Sequence, residues 1–126
     1  MNIFDDDWLA AATDALGALP EQAGASAVID YVIAGAPDGK TTIGVTLTEG
    51  RVTAMQTGKS ADPDLVVSLK YDAALALLTG EMTSDAGYMN GAIKVEGAYE
   101  RWMLELRPVR VAVAEALAPV MADTDT

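Results

Sequence analysis

The sequence predicts an α+β fold of five mainly antiparallel strands with helices outside them, and three observations predict it. Residues 41–48 alternate strictly, with Ile43, Val45 and Leu47 pointing one way and Thr42, Thr46 and Thr48 the other. That period of two, in β-branched residues, marks a half-buried strand. Runs 27–34 and 51–57 flank it across the turns Pro37-Asp38-Gly39 and Glu49-Gly50, which gives an antiparallel meander. Apolar residues at helical spacing then bracket the strands at both ends of the chain.

Taken in order, Trp8, Ala12, Leu16 and Leu19 share one helical face, and the run stops at Pro20. Asp5, Asp6 and Asp7 fall at its cap and first turn, where carboxylates favour the exposed N–H groups and the helix dipole. They are not read as a metal site, because consecutive residues point around a helix and do not converge. In 27–34, Ala27, Ile29, Tyr31 and Ile33 share a face and Asp30 takes the other. Lys59–Pro63 is a loop, and Asp64–Lys70 is a fourth strand with Leu65, Val67 and Leu69 inward. Tyr71–Thr79 is a short helix stopped by Gly80, with Ala74, Leu75 and Leu78 on one face. Ser84-Asp85 caps another short helix through Met89, closed by Gly91, and Ala92–Glu96 is a fifth strand. The C-terminal helical region is divided at Pro108, a first-turn residue of its second half. Its apolar positions are Val109, Val113, Ala116, Leu117 and Val120. A single domain over residues 1–126 is expected, with 1–4 and 122–126 frayed.

Composition narrows the function. The chain has 126 residues, 19 acidic against 8 basic, and a formal charge of −11. The acids are spread over both halves and serve solubility. No basic surface exists to displace counterions from nucleic-acid phosphates, and the same field opposes docking on anionic membranes. No apolar run approaches the roughly 20 residues that span a bilayer, and no signal-peptide pattern opens the chain, so a cytoplasmic protein without stable membrane insertion is expected. Histidine and cysteine are both absent. That removes the commonest general base, the strongest nucleophile and the ligands that zinc, copper and iron prefer. Asp30 or Asp64 with Tyr31 or Tyr88 would be the materials of an acid–base site, but no matched spacing pairs them. Ser26, in Gly24-Ala25-Ser26-Ala27-Val28, lacks the final glycine of a nucleophile elbow. No catalytic residue, metal or cofactor is assigned.

From Asp64 onward the chain resembles the sterol carrier protein type-two family of lipid-transfer domains. The resemblance is carried by Asp64-Leu65-Val66-Val67-Ser68-Leu69, by Leu77-Leu78-Thr79-Gly80, and by Tyr88-Met89-Asn90-Gly91-Ala92-Ile93-Lys94-Val95-Glu96-Gly97. The upstream helix and meander match that family's order of elements. The resemblance implies helices packed on one face of the five-stranded sheet and an apolar tunnel between them. It further implies a non-catalytic carrier of a lipid-like small molecule: a fatty acid, acyl-CoA, sterol or isoprenoid-like lipid. The first helix departs from the family's well-known members, which offer a basic amphipathic helix to membranes. Here it bears Asp5, Asp6, Asp7 and Asp14 and no lysine or arginine. The chain ends Asp-Thr-Asp-Thr, unlike a peroxisomal Ser-Lys-Leu signal, which fits a bacterial stand-alone domain.

Methionine and aromatic side chains fill irregular space and suit a cavity that takes several ligands. Candidate lining residues are therefore Tyr31, Met55, Leu75 and Leu78, then Met82, Tyr88 and Met89. The C-terminal region adds Trp102, Met103 and Leu106, and further Val109, Val113 and Leu117. Lys94 belongs to a solvated strand face, with a carboxylate-holding role as the alternative. A second functional reading is an accessory subunit that docks an enzyme of lipid metabolism with the same fold. Strands 51–57 and 92–96 are the edges at which a homodimer would pair.

Overall fold

The alternating runs do close into one sheet, but one of its joints is parallel. The computed structural model describes all residues, Met1–Thr126, in the order α1 (Asp6–Gly17), β1 (Ala27–Ala36), β2 (Gly39–Thr48), β3 (Arg51–Thr57), β4 (Leu65–Lys70), α2 (Tyr71–Thr79), α3 (Ser84–Met89), β5 (Ile93–Gly97), α4 (Tyr99–Met103) and α5 (Arg107–Ala122). Across the sheet the strands run β3-β2-β1-β4-β5. The meander and the β4–β5 pair are antiparallel, whereas β4 lies parallel to β1 with Tyr31 opposite Val67. The edge strands are β3 and β5, as the sequence suggests.

The inner face carries Ile29, Ile33, Val45, Leu65, Val67, Leu69 and Ile93, all buried in one apolar cluster with Trp8, Leu16, Trp102 and Leu117 of the helices and Leu106 of the turn between α4 and α5. α1 packs over β3, α2 over β1 and β4, and α3 over β5, while α5 packs against both α1 and α2. The opposite face is partly covered by the loop between β3 and β4. Asp30, only 3% exposed, accepts from Ser60 N at 3.0 Å and from Ser60 Oγ at 2.7 Å. Gly44 makes room for this contact, since a Cβ there would stand 2.8 Å from Ser60 Oγ.

Two helices, α1 and α3, start on a side-chain cap, the second of them shifted by one residue from expectation. Asp5 caps α1 by accepting from Trp8 N at 2.8 Å. α3 is capped by Thr83, one residue before the expected Ser84, accepting from Ala86 N at 3.1 Å. Ser84 is thereby free to meet Arg110. Gly80 ends α2 in the left-handed region at φ 82°. The termini are tied to each other, in place of the expected fraying. Ile3 N donates to Asp125 O at 3.1 Å and Asp125 N to Met1 O at 2.7 Å, and Ile3 is buried. A parallel bridge between chain ends cannot be read from local pattern, because it depends on where α1 and α5 meet.

Gly97 closes β5 at φ 97°, and a Cβ on it would collide with the Asp64 carbonyl oxygen. Gly91 has a similar φ of 82° but nothing within 4 Å of an added Cβ. Gly91→Ala should therefore cost only the left-handed strain, about 1 kcal/mol. Gly97→Ala should cost clearly more, about 3 kcal/mol, because strain and backbone overlap add. Urea unfolding midpoints of the two variants check this, and equal losses would contradict the assigned collision.

Candidate functional site

β4 runs directly into α2, so the apolar side of that helix is laid back across β1 and β4. α3 is only six residues long, and it approaches β5 closely through Gly87. A Cβ on Gly87 would stand 2.6 Å from Ile93 Cδ1 and 3.0 Å from Met82 Cε. The C-terminal end of α2 meets α5 where Gly80 faces Ala114. These elements bound an apolar layer over β1, β4 and β5.

The candidate residues divide into three groups. Trp102, Leu106, Val109 and Leu117 are buried members of the core. Tyr31, Leu75, Leu78, Met82, Tyr88 and Val113 are half-buried, and all of these except Met82 pack against the core cluster. The remaining three lie elsewhere. Met89 is 85% exposed and Met103 40% exposed, and Met55 sits on β3 beside α1, across the sheet from the α2–α3 side. Two cavities open to solvent occupy the rim of the fold. One of about 330 Å³ lies at the turn from β5 into α4, beside Gly97, Tyr99 and Arg101. The other, of about 650 Å³, lies between α1 and β3. Neither is the apolar tunnel expected between sheet and helices.

The polar group of the layer is Arg110, which sequence reasoning missed. Its side chain is 7% exposed. Nη1 donates to Asp85 Oδ1 at 2.9 Å and to Ser84 Oγ, and Nε donates to Trp102 O at 2.8 Å. The guanidinium carbon stands 3.8 Å from the Trp102 ring centroid, and Tyr88 packs on the same indole at 5.4 Å between centroids. Such stacking suits a flat, weakly hydrated cation. Arg107 Nε adds a second bond to Asp85, to Oδ2 at 3.0 Å. The signal was present in the sequence: Leu106, Arg110, Val113 and Leu117 follow one helical stripe, so Arg110 is a charge on an apolar face.

Two ionisations are shaped here. The Tyr31 phenol is pushed above its ordinary value of 10.0 by burial, with the Arg110 charge acting against that. The hydrogen bond from Arg110 holds the Asp85 carboxyl below its ordinary value of 3.8, helped by the charge of Arg110 and by Arg107, with desolvation opposing. No group of His, Cys, Asp and Glu side chains is gathered as a metal would need.

Asp85 stabilises the fold through its charged form, so the contribution is complete above pH 3.8 and is lost as pH falls below that value through the lower folded one. Asp85→Asn should therefore lower the melting temperature at pH 7, and its difference from the parent protein should shrink as the pH is taken below 3.8. Thermal melts across that range check it. A gap unchanged at low pH would mean that the carboxylate charge is not what fastens α3 to α5.

Residues 6–104, from the start of α1 to just past α4, match the SCP-2 sterol transfer family. Among solved structures, the fold is similar to a crystal structure of sterol carrier protein 2, at TM-score 0.70 and 15% identity over 94% of this chain and 97% of that one. It is similar to the solution structure of palmitated sterol carrier protein 2-like 2 from Aedes aegypti, at TM-score 0.65 and 18% identity, covering 86% of this chain and 95% of that one. A conserved hypothetical protein from Thermus thermophilus is similar at TM-score 0.68 and 12% identity, covering 95% of this chain and 90% of that one. No curated protein sequence matches the chain. No helix is long and apolar enough to cross a membrane. With 6–104 matched and every strand of the sheet inside that range, the chain belongs to the SCP-2 sterol transfer family.

Proposed function

We propose that this chain is a non-catalytic cytoplasmic carrier that holds one lipid-like molecule in the layer between the sheet and helices α2, α3 and α5. The carrying observation is the contrast in that layer: Leu106 and Leu117 are sealed, while Tyr31, Leu75, Leu78, Met82, Tyr88 and Val113 are only half-buried. Apolar side chains left partly wet gain from an apolar guest, at about 0.8 kcal/mol per methylene buried. An acyl or isoprenoid chain thus binds without specific polar contacts, which fits a wall with few of them. Met82 is an unbranched side chain that yields without a fixed geometry. The palmitated state of the Aedes aegypti relative supports a fatty-acyl guest for this fold. Sterols and acyl-CoAs belong to the same proposal.

A second reading has its own observation. The two cavities described above both lie at the rim, and Trp102, Leu106, Val109 and Leu117 fill part of the layer, which favours an accessory subunit that docks an enzyme of lipid metabolism. Native mass spectrometry of the purified protein, followed by organic extraction, separates the two. A carrier should arrive with close to one lipid per chain. Leu78→Lys and Val113→Lys should each lower its retention roughly tenfold, because a cation in the wall displaces apolar contact worth more than one methylene. An apo mass, with no rise in melting temperature across a panel of fatty acids and sterols, would sink the carrier reading.

A further inference from the structure

β3 is a sheet edge, and its free side can be identified residue by residue. Gly58 N donates to Thr42 O at 2.8 Å, and the register pairs Gln56 with Gly44 and Ala54 with Thr46. Because hydrogen-bonded and non-bonded pairs alternate along an antiparallel ladder, residues 54, 56 and 58 exchange bonds with β2. The backbone N–H and C=O groups of Met55 and Thr57 therefore face outward. Directly beside them lies the cavity of about 650 Å³, with Leu9, Ala10, Ala54 and Met55 as its apolar part and Asp6 and Asp14 of α1 on its wall. At the Val52 end α1 and β3 are drawn together. Arg51 Nε donates to Leu19 O at 2.7 Å there, and a Cβ on Gly17 would stand 3.2 Å from the Val52 carbonyl.

The charges in this groove are of one sign. No lysine or arginine lines it, and neither Asp6 nor Asp14 forms an ion pair. Eight residues of helix separate the two carboxylates by about 12 Å. About four residues of extended chain cover that distance, which is the length of the stretch Ala54–Thr57 that lines the groove.

We propose that this groove receives an extended, basic segment of a partner protein as a sixth strand beside β3. Its backbone pairs with Met55 and Thr57, alternate apolar side chains rest on Leu9 and Met55, and lysines or arginines reach Asp6 and Asp14. Addition at an edge gives the affinity through main-chain bonds and leaves side-chain chemistry to choose the partner. A second copy of this chain is the poorer occupant. Each copy carries a formal charge of −11, and pairing β3 with β3 about a two-fold axis sets the acidic faces of two α1 helices along one ladder.

The test is a titration of the ¹⁵N-labelled chain with an acetylated, amidated heptapeptide of alternating valine and lysine. Shifts should concentrate at residues 6–14 and 51–58, and the Met55 and Thr57 amides should gain protection from exchange. Affinity should fall roughly three- to tenfold in the Asp6→Asn/Asp14→Asn double variant, the size expected of two exposed charge pairs. It should also fall with added salt, and it should be lost when glutamates replace the lysines. A peptide N-methylated at alternate positions keeps the charge and loses the ladder, and it should not bind. Equal binding of the glutamate or N-methylated peptide, or shifts confined to other faces, would overturn the proposal. So would sedimentation showing that the chain alone dimerises, with the Met55 and Thr57 amides already protected from exchange in that dimer.

Discussion

The meander β1–β3 and the pair β4–β5 are joined by a single parallel ladder between β1 and β4, and Asp64 fastens its start from both backbone and side chain. Asp64 N donates to Val28 O at 2.8 Å, and Val28 N donates back to Asp64 Oδ2 at the same distance. The carbonyl of Asp64 accepts from Ala98 N at 3.0 Å, which brings in the end of β5, and Arg101 stands 3.5 Å from the carboxylate. One residue thus ties together three strands and the entry to α4. No hairpin supplies this joint, and parallel pairing is the slower and less local kind to form. Everything over the β4–β5 half, including α2, α3 and the candidate layer, takes its position from that joint.

A different device holds α3. Six residues form no stable helix on their own, so its place depends on tertiary contacts. Apolar contact at Gly87 and Ile93 supplies one side, and the Asp85 pairs with Arg110 and Arg107 supply the other. Arg110 is almost fully withdrawn from water, a cost that its carboxylate, hydroxyl and carbonyl partners and the Trp102 face together offset. Its bonds to Asp85, Ser84 and the Trp102 carbonyl are directed within the protein. Arg110 accordingly serves the wall of the layer more than any guest's head group. This arrangement agrees with a carrier that selects by shape and apolar area.

Strands with strict alternation were legible in the sequence, as were the Asp5 cap, the Gly80 stop and the Pro108 break, because each is a local matter of period or backbone geometry. The resemblance from Asp64 to Gly97 was legible as an ordered series of such local signals. What escaped depends on contacts distant in sequence. Asp30 reads as the polar side of a strand, yet it is sealed by Ser60, thirty residues on. Arg110 reads as one of few cations on an acidic chain, and only its place on the Leu106–Leu117 stripe hinted at burial. Met55 has the composition of a pocket residue but sits on the β3 edge, at the far side of the sheet from β4 and β5. Composition cannot separate the two sides of one sheet face.

That separation gives the molecule two places where apolar surface meets water, and they are electrostatically unlike. The layer under α2 and α5 is bounded by a stacked and paired cation, whereas the groove at α1 is walled by unpaired carboxylates. α1 divides its labour between its faces: Trp8, Leu9, Ala12 and Leu16 are buried, while Asp6, Ala10 and Asp14 remain exposed. The exposed carboxylates contribute little to packing, so their spacing along the helix is free to answer to a partner. The acidity of this exposed face is what fits it to a basic protein segment. The proposed lipid layer and the proposed protein groove thus lie at opposite ends of one sheet and share none of their residues.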